Sequence, residues 1–488
     1  MTDRQGVSVG LQAPQGAAFD EIMGSVMADS ARSLLTTFLD ALGIASTAPS
    51  VELSDGGSLP SVFAVSDLAQ ASVGVAGVAL SALLAANGDP RRAVRVNRDL
   101  SSSWFAYSIR PQGWKMPSPW DSVSGDYRCG DGWIKLHANA AHHRAAILEV
   151  LGVSGDQEAV SQAAVAWSAQ DLETAVVGAG GAAAAMRTVA QWREHPQGQL
   201  VSREPLVSLE RSSTFDDRAT RVGGHERPLE RVRVLDLTRV LAGPVATRLL
   251  AGWGAEVLRI DPPDWDEPAV IPEVGVGKRC ARLDLRSPDG LERFLELLST
   301  TDVLVHGYRA DALERLGLGS DIRDAVRPGL VDVSLDAYGW AGPWRNRRGF
   351  DSLVQMSSGI ADAGRVAAGI DTPVPLPVQA LDHATGYLMA ASAITGLAMR
   401  ATDGVGSRWR MSLARMAQLL ITTADIGAVS LESTIEVPEA TGPIEHTSWG
   451  DARRLAPPLE VDGAPLHWTI PAHALGSDEP MWSGSRRN

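Results

Sequence analysis

The sequence predicts an α/β fold in which a doubly wound parallel sheet is accompanied by a smaller α+β domain. From about residue 226, short apolar runs typical of buried strands alternate with helical patterns, as parallel βαβ units require. Earlier in the chain, Tyr127–Leu136 is typical of two strands joined by an Asp-Gly turn, which is a strong hairpin signal. A chain of 488 residues also exceeds one ordinary hydrophobic core, so we expect more than one structural unit.

The alternation of strands and helices is clearest between residues 232 and 335. The apolar runs predict strands at Val232–Leu237, Glu256–Ile260, Ala281–Leu285, Val303–Val305 and Leu330–Leu335. The intervening patterns predict helices at Val245–Trp253, Leu291–Leu298 and Ala312–Leu316. Because each strand is apolar on both faces and is followed by a helix, a parallel sheet covered on both sides is the simplest arrangement.

Charge and cysteine content limit the partners that we expect. The formal net charge of −14 opposes binding to nucleic acid and to anionic membrane surfaces, although a local positive pocket remains compatible with it. Cys129 and Cys280 lie far apart in the sequence, so we expect neither a disulfide framework nor a metal site, and we expect a reducing, cytoplasmic compartment. The apolar run Ala69–Ala86 is interrupted by polar residues, which favours a buried helix over a membrane span.

An internal repeat links two segments that each begin with an aspartate. Asp67 and Asp382 both precede a helix of small residues, a turn and a strand. The separation is 382 − 67 = 315 for the aspartates, and 410 − 95 = 315 for Arg410 and Arg95 in the two strands. A duplication and a chance likeness between two Ala-rich helices both fit this pattern.

The loop Thr238–Pro244 and Asp382 are the two candidate places for chemistry. The loop follows a predicted strand and precedes a helix, where open α/β sheets bind anions, although a tight connection shaped by Gly243 and Pro244 fits as well. The glycine-rich dinucleotide fingerprint is absent, so a ribose-binding role for Asp261 has little support. Asp382 begins a predicted buried helix and could simply cap it. Alternatively, its carboxylate could attack a thioester, with backbone N–H groups steadying the oxyanion.

Ordered motifs resemble the family III (CaiB/BaiF) CoA-transferases. These motifs are Val234–Pro244, Gly254–Val257, Gly277–Arg279, Ala312–Gly317, Gly349–Asp351 and Asp382 with Thr385-Gly386. The resemblance implies that Asp382 is the catalytic nucleophile. It also implies that the chain binds CoA through Val240, Leu241, Ala242, Lys278, Tyr308, Ala312 and Arg315. It further implies an acyl-CoA and a small carboxylic acid as substrates, no tightly bound cofactor, no metal, and an interlocked homodimer.

The order of the segments departs from that of the family. Residues 115–210 are similar to the small domain that normally follows the parallel-sheet domain, and here they precede it. We therefore predict a tail and helix at 1–60, a region resembling the second half and small domain of a transferase at 61–225, a Rossmann-like CoA-binding and catalytic domain at 226–430, and a C-terminal return segment at 431–488. The segment Gly307–Asp311 replaces the family's Asn-Phe-Arg-Pro-Gly, which alters the expected adenine end of the site.

Three other functions stay open at this point. An acyl-CoA racemase of the same fold would need a histidine where this chain has Phe350, and His383 is a substitute only in principle because neighbouring helical residues point in different directions. A catalytically silent CoA-binding protein and a dehydrogenase are the others. No motif identifies the acid, although the Trp- and Ala-rich small domain would suit a bulky apolar one.

Overall fold

The computed structural model describes residues 30–214, 223–423 and 431–484. The first stretch contains helices α1 (30–42), α2 (Val65–Ala86), α3 (Arg98–Trp104), α4 (Ala141–Leu151), α5 (Gln157–Ala164), α6 (Ala169–Gly178), α7 (Val189–Glu194) and α8 (Pro196–Val201). Its strands are β1 (Val51–Leu53), β2 (Val94–Val96), β3 (Ile109–Pro111), β4 (Gly125–Arg128), β5 (Trp133–Leu136), β6 (Ala183–Ala185) and β7 (Ser208–Thr214). The predicted tail up to residue 29 lies outside the described residues.

The second and third stretches carry the remaining elements. The helices are α9 (Ala242–Gly252), α10 (Ile271–Val274), α11 (Pro288–Leu298), α12 (Ala312–Arg315), α13 (Ser320–Val326), α14 (Asp351–Ser358), α15 (Ile360–Ala368), α16 (Ala380–Asp403) and α17 (Leu413–Thr423). The strands are β8 (Arg233–Leu237), β9 (Glu256–Asp261), β10 (Lys278–Arg282), β11 (Val303–His306), β12 (Val331–Asp336), β13 (Val405–Ser412), β14 (Glu445–Thr447), β15 (Gly450–Arg454) and β16 (Leu459–Val461).

A seven-stranded sheet organises the molecule, in the order β10-β9-β8-β11-β12-β13-β7. The first six strands are parallel, which confirms the predicted doubly wound sheet. The strand order reverses between β8 and β11, and the crevice at such a switch point is where open α/β sheets bind ligands. The seventh strand, β7, pairs antiparallel with β13 and was not predicted, because Ser208–Thr214 is a mostly polar edge strand without apolar alternation.

One predicted strand is displaced along the sequence. Apolar residues placed it at Ala281–Leu285, whereas β10 covers Lys278–Arg282 and pairs in register with β9, Lys278 opposite Val257 and Arg282 opposite Asp261. The prediction for Ala281–Leu285 was therefore wrong by three residues, since 281 − 278 = 3. Polar residues at the start of β10 interrupt the apolar pattern on which the prediction was based. Because β10 begins at Lys278, the Lys278 side chain lies inside the protein, where it is fully buried.

Helices α2 and α16 pack along each other in the core. Their starts differ by 380 − 65 = 315, and the strands that follow, β2 and β13, are each parallel to an earlier neighbour, β1 and β12. The two segments thus have the same succession of elements at the offset seen in the sequence. Helix α2 is long and apolar enough to cross a membrane by composition alone, but 89% of its most apolar window is buried inside the molecule.

A smaller α+β unit is built around the predicted hairpin. Strands β4 and β5 pair antiparallel and β6 extends them, which confirms the hairpin at Tyr127–Leu136. The unit has its own apolar core, which includes Tyr127, Ile134 and Leu172. Its strand β6 rests against α14 of the large domain, where Ala182 and Ala184 contact Leu353 and Met356. The C-terminal strands β15 and β16 return to pair with β3 and β2.

Candidate active site

Asp382 is the third residue of α16 and lies at the inner end of the crevice. The N-cap of this helix is Gln379, and no side chain caps the helix. Asp382 is therefore not a capping residue, and its carboxyl group is left for another role. Its side chain is almost buried, and it lines two neighbouring cavities. Its backbone N–H donates to Asp351 Oδ2 at 2.9 Å, so this N–H is already occupied.

A second buried carboxyl group, that of Asp351, lies near enough to Asp382 to repel its ionised form. Gln355 Nε2 donates to Asp351 Oδ1, and Gln355 Oε1 accepts from the backbone N–H of Leu376 at 2.7 Å. Burial raises the pKa of Asp351 to about 6, although these donated hydrogen bonds oppose the change. Burial, and then repulsion from Asp351, raise the pKa of Asp382 well above its usual range. Once ionised, Asp382 is consequently a more basic and stronger nucleophile than an exposed aspartate.

An arginine-lined cleft leads to Asp382 from the carboxyl ends of the parallel strands. It consists of two cavities of about 340 and 330 Å³ that share Arg239, Tyr308, Arg309 and Ala312 and are therefore continuous. Together they are lined by the guanidinium-bearing residues Arg239, Arg286, Arg309, Arg315, Arg347 and Arg348. We call these two cavities the cleft. Its six guanidinium groups can bind a polyanionic ligand in spite of the negative net charge. Carboxyl groups also line the cleft, those of Asp261, Asp264, Asp284, Asp336 and Asp382.

Arg239 is a cleft residue that the sequence analysis did not single out. Its guanidinium carbon lies 4.6 Å from the ring centre of Trp265 and 5.2 Å from that of Tyr308. Its Nη2 also donates to Tyr308 Oη at 3.2 Å. The side chain is therefore held between two aromatic rings with its charge toward the cleft. The sequence signal that could have identified it is its position in the loop just after the predicted strand Val232–Leu237.

The structure brings six of the seven predicted CoA-binding residues to the cavities. Val240 and Ala242 line the inner cleft, Tyr308 and Ala312 line both parts, Arg315 lines the outer part, and Leu241 faces the cavity beyond Asp382. Lys278 is not brought there. Its Nζ donates to Pro244 O at 2.9 Å and lies 3.2 Å from Asp236 Oδ2, beneath the start of α9. A direct contact between Lys278 and CoA stays a prediction, and burial lowers the pKa of Lys278 to about 8.

Val240 holds a strained backbone conformation between the cavities. Within the part of the chain that the structure describes, it alone among non-glycine residues has a positive φ, 64°. Such a φ is costly for a β-branched residue and is characteristic of functional loops. The N–H of Val240 donates to Glu267 Oε2 at 2.8 Å, and Glu267 pairs with the buried Arg259. One of the loop N–H groups that the sequence predicted to face an anion is thus already bound to a carboxylate.

A third cavity, of about 250 Å³, lies beyond Asp382, and we call it the inner pocket. It shares Val240, Phe350 and Asp382 with the cleft. Its other walls come from both halves of the chain, including Phe105, Tyr107, Trp120, His137, Ser352, Val378 and His383. The two halves of one chain therefore build this pocket together.

Two histidines of the inner pocket are neutral. His137 stacks on Phe350, with ring centres 3.8 Å apart and planes 5° apart, and His383 stacks on Phe105 at 5.0 Å. Burial lowers the pKa of both imidazoles to about 3. The sequence analysis missed His137, because it comes from the smaller unit and reaches Phe350 only through the fold. It also missed Asp351 as a partner of Asp382.

A buried cluster of ion pairs holds the smaller unit beside the site. Glu173 of α6 accepts from Arg187 of its own unit and, at 2.8 Å, from Arg347, which lines the cleft. The guanidinium groups, opposing the effect of burial, keep the pKa of Glu173 below its usual range. This cluster therefore holds the smaller unit against the wall of the cleft that contains Arg347.

Asp67, the counterpart of Asp382 in the repeat, occupies a different environment. Arg98 Nη1 donates to Asp67 Oδ1 at 2.7 Å, and the remaining donors of Arg98 bind Gly57 O and Ser58 Oγ. Both side chains of the pair are buried, and Asp67 lines neither the cleft nor the inner pocket. Its carboxylate is engaged in holding the fold.

Comparisons with known proteins find similarity in the second half of the chain. Residues 229–448 match the model of CoA-transferase family III. The chain is 31% identical over 227 residues to acetyl-coenzyme A transferase nodX of Hypoxylon pulicicidum, covering 45% of this chain and 38% of that protein. It is 34% identical over 193 residues to succinyl-CoA:glutarate CoA-transferase of Mus musculus, covering 37% of this chain and 44% of that protein.

Among solved structures, the hypothetical protein Rv3272 of Mycobacterium tuberculosis is similar at 31% identity and a TM-score of 0.36, covering 40% of this chain and 56% of that one. Residues 229–448, somewhat less than half of the chain, are thus similar to CoA-transferase family III, a class of enzymes. It spans less than half of the length of the two curated relatives named above. Because the family match begins at residue 229, the permuted order inferred for the first 225 residues stays a prediction.

Proposed function

We propose that this protein transfers CoA from an acyl-CoA donor to a carboxylic acid acceptor, with Asp382 as the covalent nucleophile. The observation that carries the proposal is the position of the Asp382 carboxyl group, where an arginine-lined cleft meets a largely apolar pocket. A thioester whose phosphates lie in the cleft and whose acyl group lies in the pocket would present its carbonyl carbon to this carboxylate. The similarity of residues 229–448 to CoA-transferase family III supports the same chemistry.

The exchange proceeds through a series of covalent intermediates on the Asp382 carboxyl group: an anhydride, a thioester and a second anhydride. Asp382 attacks the thioester carbonyl, the C–S bond breaks, and an acyl-aspartyl anhydride and CoA thiolate form. The thiolate attacks the aspartyl carbonyl, which releases the donor acid and leaves an aspartyl-CoA thioester. The acceptor carboxylate attacks that thioester to form a second anhydride and thiolate. The thiolate then attacks the acceptor acyl carbonyl, giving the new acyl-CoA and free Asp382.

The cleft residues are assigned to the CoA portion. Arg309, Arg315 and Arg348 supply charge for phosphates, and Tyr308, stacked with Arg239, supplies a face for the adenine. Val240, Leu241 and Ala242 border the path between the cleft and Asp382, where the pantetheine arm would pass. These assignments rest on the cavity walls and on the family resemblance.

Ser352 is proposed as a donor to the thioester carbonyl oxygen. Its hydroxyl group is buried, has no hydrogen-bond partner among the described residues, and belongs to a side chain that lines the inner pocket. A buried unpaired hydroxyl is costly, and a ligand oxygen would satisfy it. We expect Ser352→Ala to lower kcat by about 10²-fold or more with little change in KM, as loss of an oxyanion donor does.

The proposal is tested by transfer itself. Wild type, Asp382→Asn and the surface control Asp371→Asn are incubated with a panel of acyl-CoA donors and isotopically labelled acids, and new labelled acyl-CoAs are measured by mass spectrometry. Asp371 is an exposed carboxylate paired with Arg128, so its variant matches the chemical change without touching the site. We expect wild type and Asp371→Asn to form product and Asp382→Asn to form none. Undiminished transfer by Asp382→Asn would overturn the proposal, and CoA binding without any turnover would indicate a silent binding protein.

A racemase is the second candidate, and His137 is the observation that favours it. The neutral imidazole of His137 lies on the ring of Phe350, the position at which the racemase reading requires a histidine, and it lines the same pocket as Asp382. A neutral histidine and a carboxylate could exchange a proton alpha to the thioester. Incubation of a 2-methylacyl-CoA in D₂O decides between the two. Deuterium incorporation that is lost in His137→Phe would support the racemase, and CoA transfer without incorporation would support the transferase.

The homodimer and the cytoplasmic location expected from the sequence stay proposals. Because described residues of one chain supply both walls of the inner pocket, we expect activity per chain to be constant when a dimer is diluted to monomers. Light scattering at the assay concentrations gives the state of assembly. Activity that falls in proportion to the dimer would show that the partner completes the site.

A further inference from the structure

We propose that the inner pocket accepts the apolar acyl group of a monocarboxylic acid and rejects acyl groups that carry a second carboxylate. This inference rests on the proposed function, because it assigns a substrate class to the same site. It follows from the contrast between the two compartments that meet at Asp382. The cleft is lined by six arginines, whereas the inner pocket is lined by none and has a largely apolar wall.

The walls of the inner pocket suit a small, uncharged group. Phe105, Trp120, Phe350, Pro377 and Val378 contribute apolar surface. The volume of about 250 Å³ is below the roughly 300–1,000 Å³ typical of sites for drug-sized ligands, so a short branched or aromatic acyl group fits it better than a long chain. Transfer of such a group from water is favourable in proportion to the apolar area that it buries.

The charge around the pocket disfavours a second carboxylate. Among the described residues that line the pocket, none is lysine or arginine. The two histidines in the wall, His137 and His383, have pKa values lowered to about 3 by burial, so they are uncharged at neutral pH. A distal carboxylate would consequently lose its hydration without meeting a cation, which is strongly unfavourable.

The ionised nucleophile adds to this selection. Arg248 and Arg454, opposing the effect of burial, keep the pKa of Glu273 at about 2, so Glu273 is ionised. Both guanidinium groups pair with Glu273, which also accepts from Ser108 and from the N–H of Ile109, so its charge is balanced. Asp382 must be ionised to attack. An incoming carboxylate would therefore be repelled by the charge of Asp382.

Binding of unreactive CoA thioethers tests the inference separately from catalysis. Calorimetry compares S-hexyl-CoA and S-(2-phenylethyl)-CoA with S-(4-carboxybutyl)-CoA, which is length-matched to the hexyl compound but ends in a carboxylate. The same cleft contacts are available to all three, so any difference reports on the inner pocket. We expect the two apolar thioethers to bind at least tenfold more tightly. Equal affinity, or tighter binding of the carboxylate, would overturn the inference.

A charge introduced into the pocket wall gives the second arm. Gln379 lines the pocket, and Gln379→Arg would supply a cation there. We expect the carboxylated thioether to gain at least tenfold in affinity relative to S-hexyl-CoA, whereas Gln162→Arg, on the exposed face of α5, changes neither. Trp120→Arg serves if Gln379→Arg does not fold, because Trp120 is 40% exposed at the pocket edge. No gain in either variant would overturn the inference.

The outcomes separate this inference from the proposed function. Preference for apolar thioethers, together with no acylation of Asp382 by the matching thioesters, would leave the pocket assignment standing and remove the transferase proposal. Acylation of Asp382 that is as fast from glutaryl-CoA as from hexanoyl-CoA would support covalent transfer through Asp382 and overturn the assignment of the pocket.

Discussion

Replacing Asp351 by asparagine should move the acid limb of the pH–rate profile to lower pH. Asp351 repels the ionised form of Asp382 and so helps to hold the pKa of Asp382 well above its usual range. Repulsion between two unit charges that share a buried site amounts to a few kcal/mol at an effective dielectric constant of about 20. Solvent in the open cleft weakens this interaction, and burial raises the pKa of Asp382 on its own, so we expect this pKa to fall toward its usual range without reaching it. The asparagine Oδ1 can still accept the N–H of Asp382, whereas the bond from Gln355 Nε2 is lost.

The assay is kcat/KM for CoA transfer between pH 4 and pH 9, because this ratio reports ionisation in the free enzyme. A raised pKa of the nucleophile means that activity increases with pH as Asp382 deprotonates. Asp351→Asn should therefore keep a larger fraction of its plateau activity at about pH 5 than wild type does. Asp371→Asn, which removes an exposed carboxylate, should leave the profile unchanged. An acid limb that stays in place or moves to higher pH in Asp351→Asn would refute the electrostatic account of the pair.

Three further predictions follow from the same contacts. Asp382→Asn should raise the free energy of unfolding at pH 7, because a carboxyl group whose pKa is raised in the folded state costs stability as the pH rises above its unfolded pKa; the gain should vanish below about pH 4 in urea titrations. Arg239→Ala should weaken CoA binding about tenfold at low salt and less at high salt, measured by calorimetry, since one cleft cation and its stacking on Tyr308 are lost. Asp67→Ala should lower the free energy of unfolding by about 3 kcal/mol, because it breaks the buried pair with Arg98. The variant should still acylate Asp382 with a stoichiometry of one per chain. A fall to half that stoichiometry would show that the Asp67 segment contributes to chemistry.

The sequence predicted the parallel sheet because its strands are apolar on both faces. β8, β9, β11 and β12 therefore appeared within a residue or two of their positions. β10 was misplaced because its first residues, Lys278 and Arg279, are charged and their burial depends on Asp236 and on the C-terminal segment. β7 was not predicted because its stability comes from pairing with β13, almost 200 positions away in sequence, and not from a local pattern.

The candidate site was predicted in part. Asp382 and most of the cleft followed from motifs that are local in the sequence. The pairing of Asp382 with Asp351, 31 positions earlier, and the stacking of His137 on Phe350 were not predictable, because tertiary packing alone brings these residues together. The positive φ of Val240 also has no local signal, since a β-branched residue is among the least expected there.

The most direct test of the central claim is to trap the acyl group on Asp382. The protein is incubated with an apolar acyl-CoA, quenched with hydroxylamine and digested, and the peptide that contains Asp382 is examined by mass spectrometry. The account predicts a hydroxamate on Asp382 that depends on the acyl-CoA and is absent from the peptide that contains Asp67. An unmodified Asp382 in a preparation that is actively transferring CoA would contradict it.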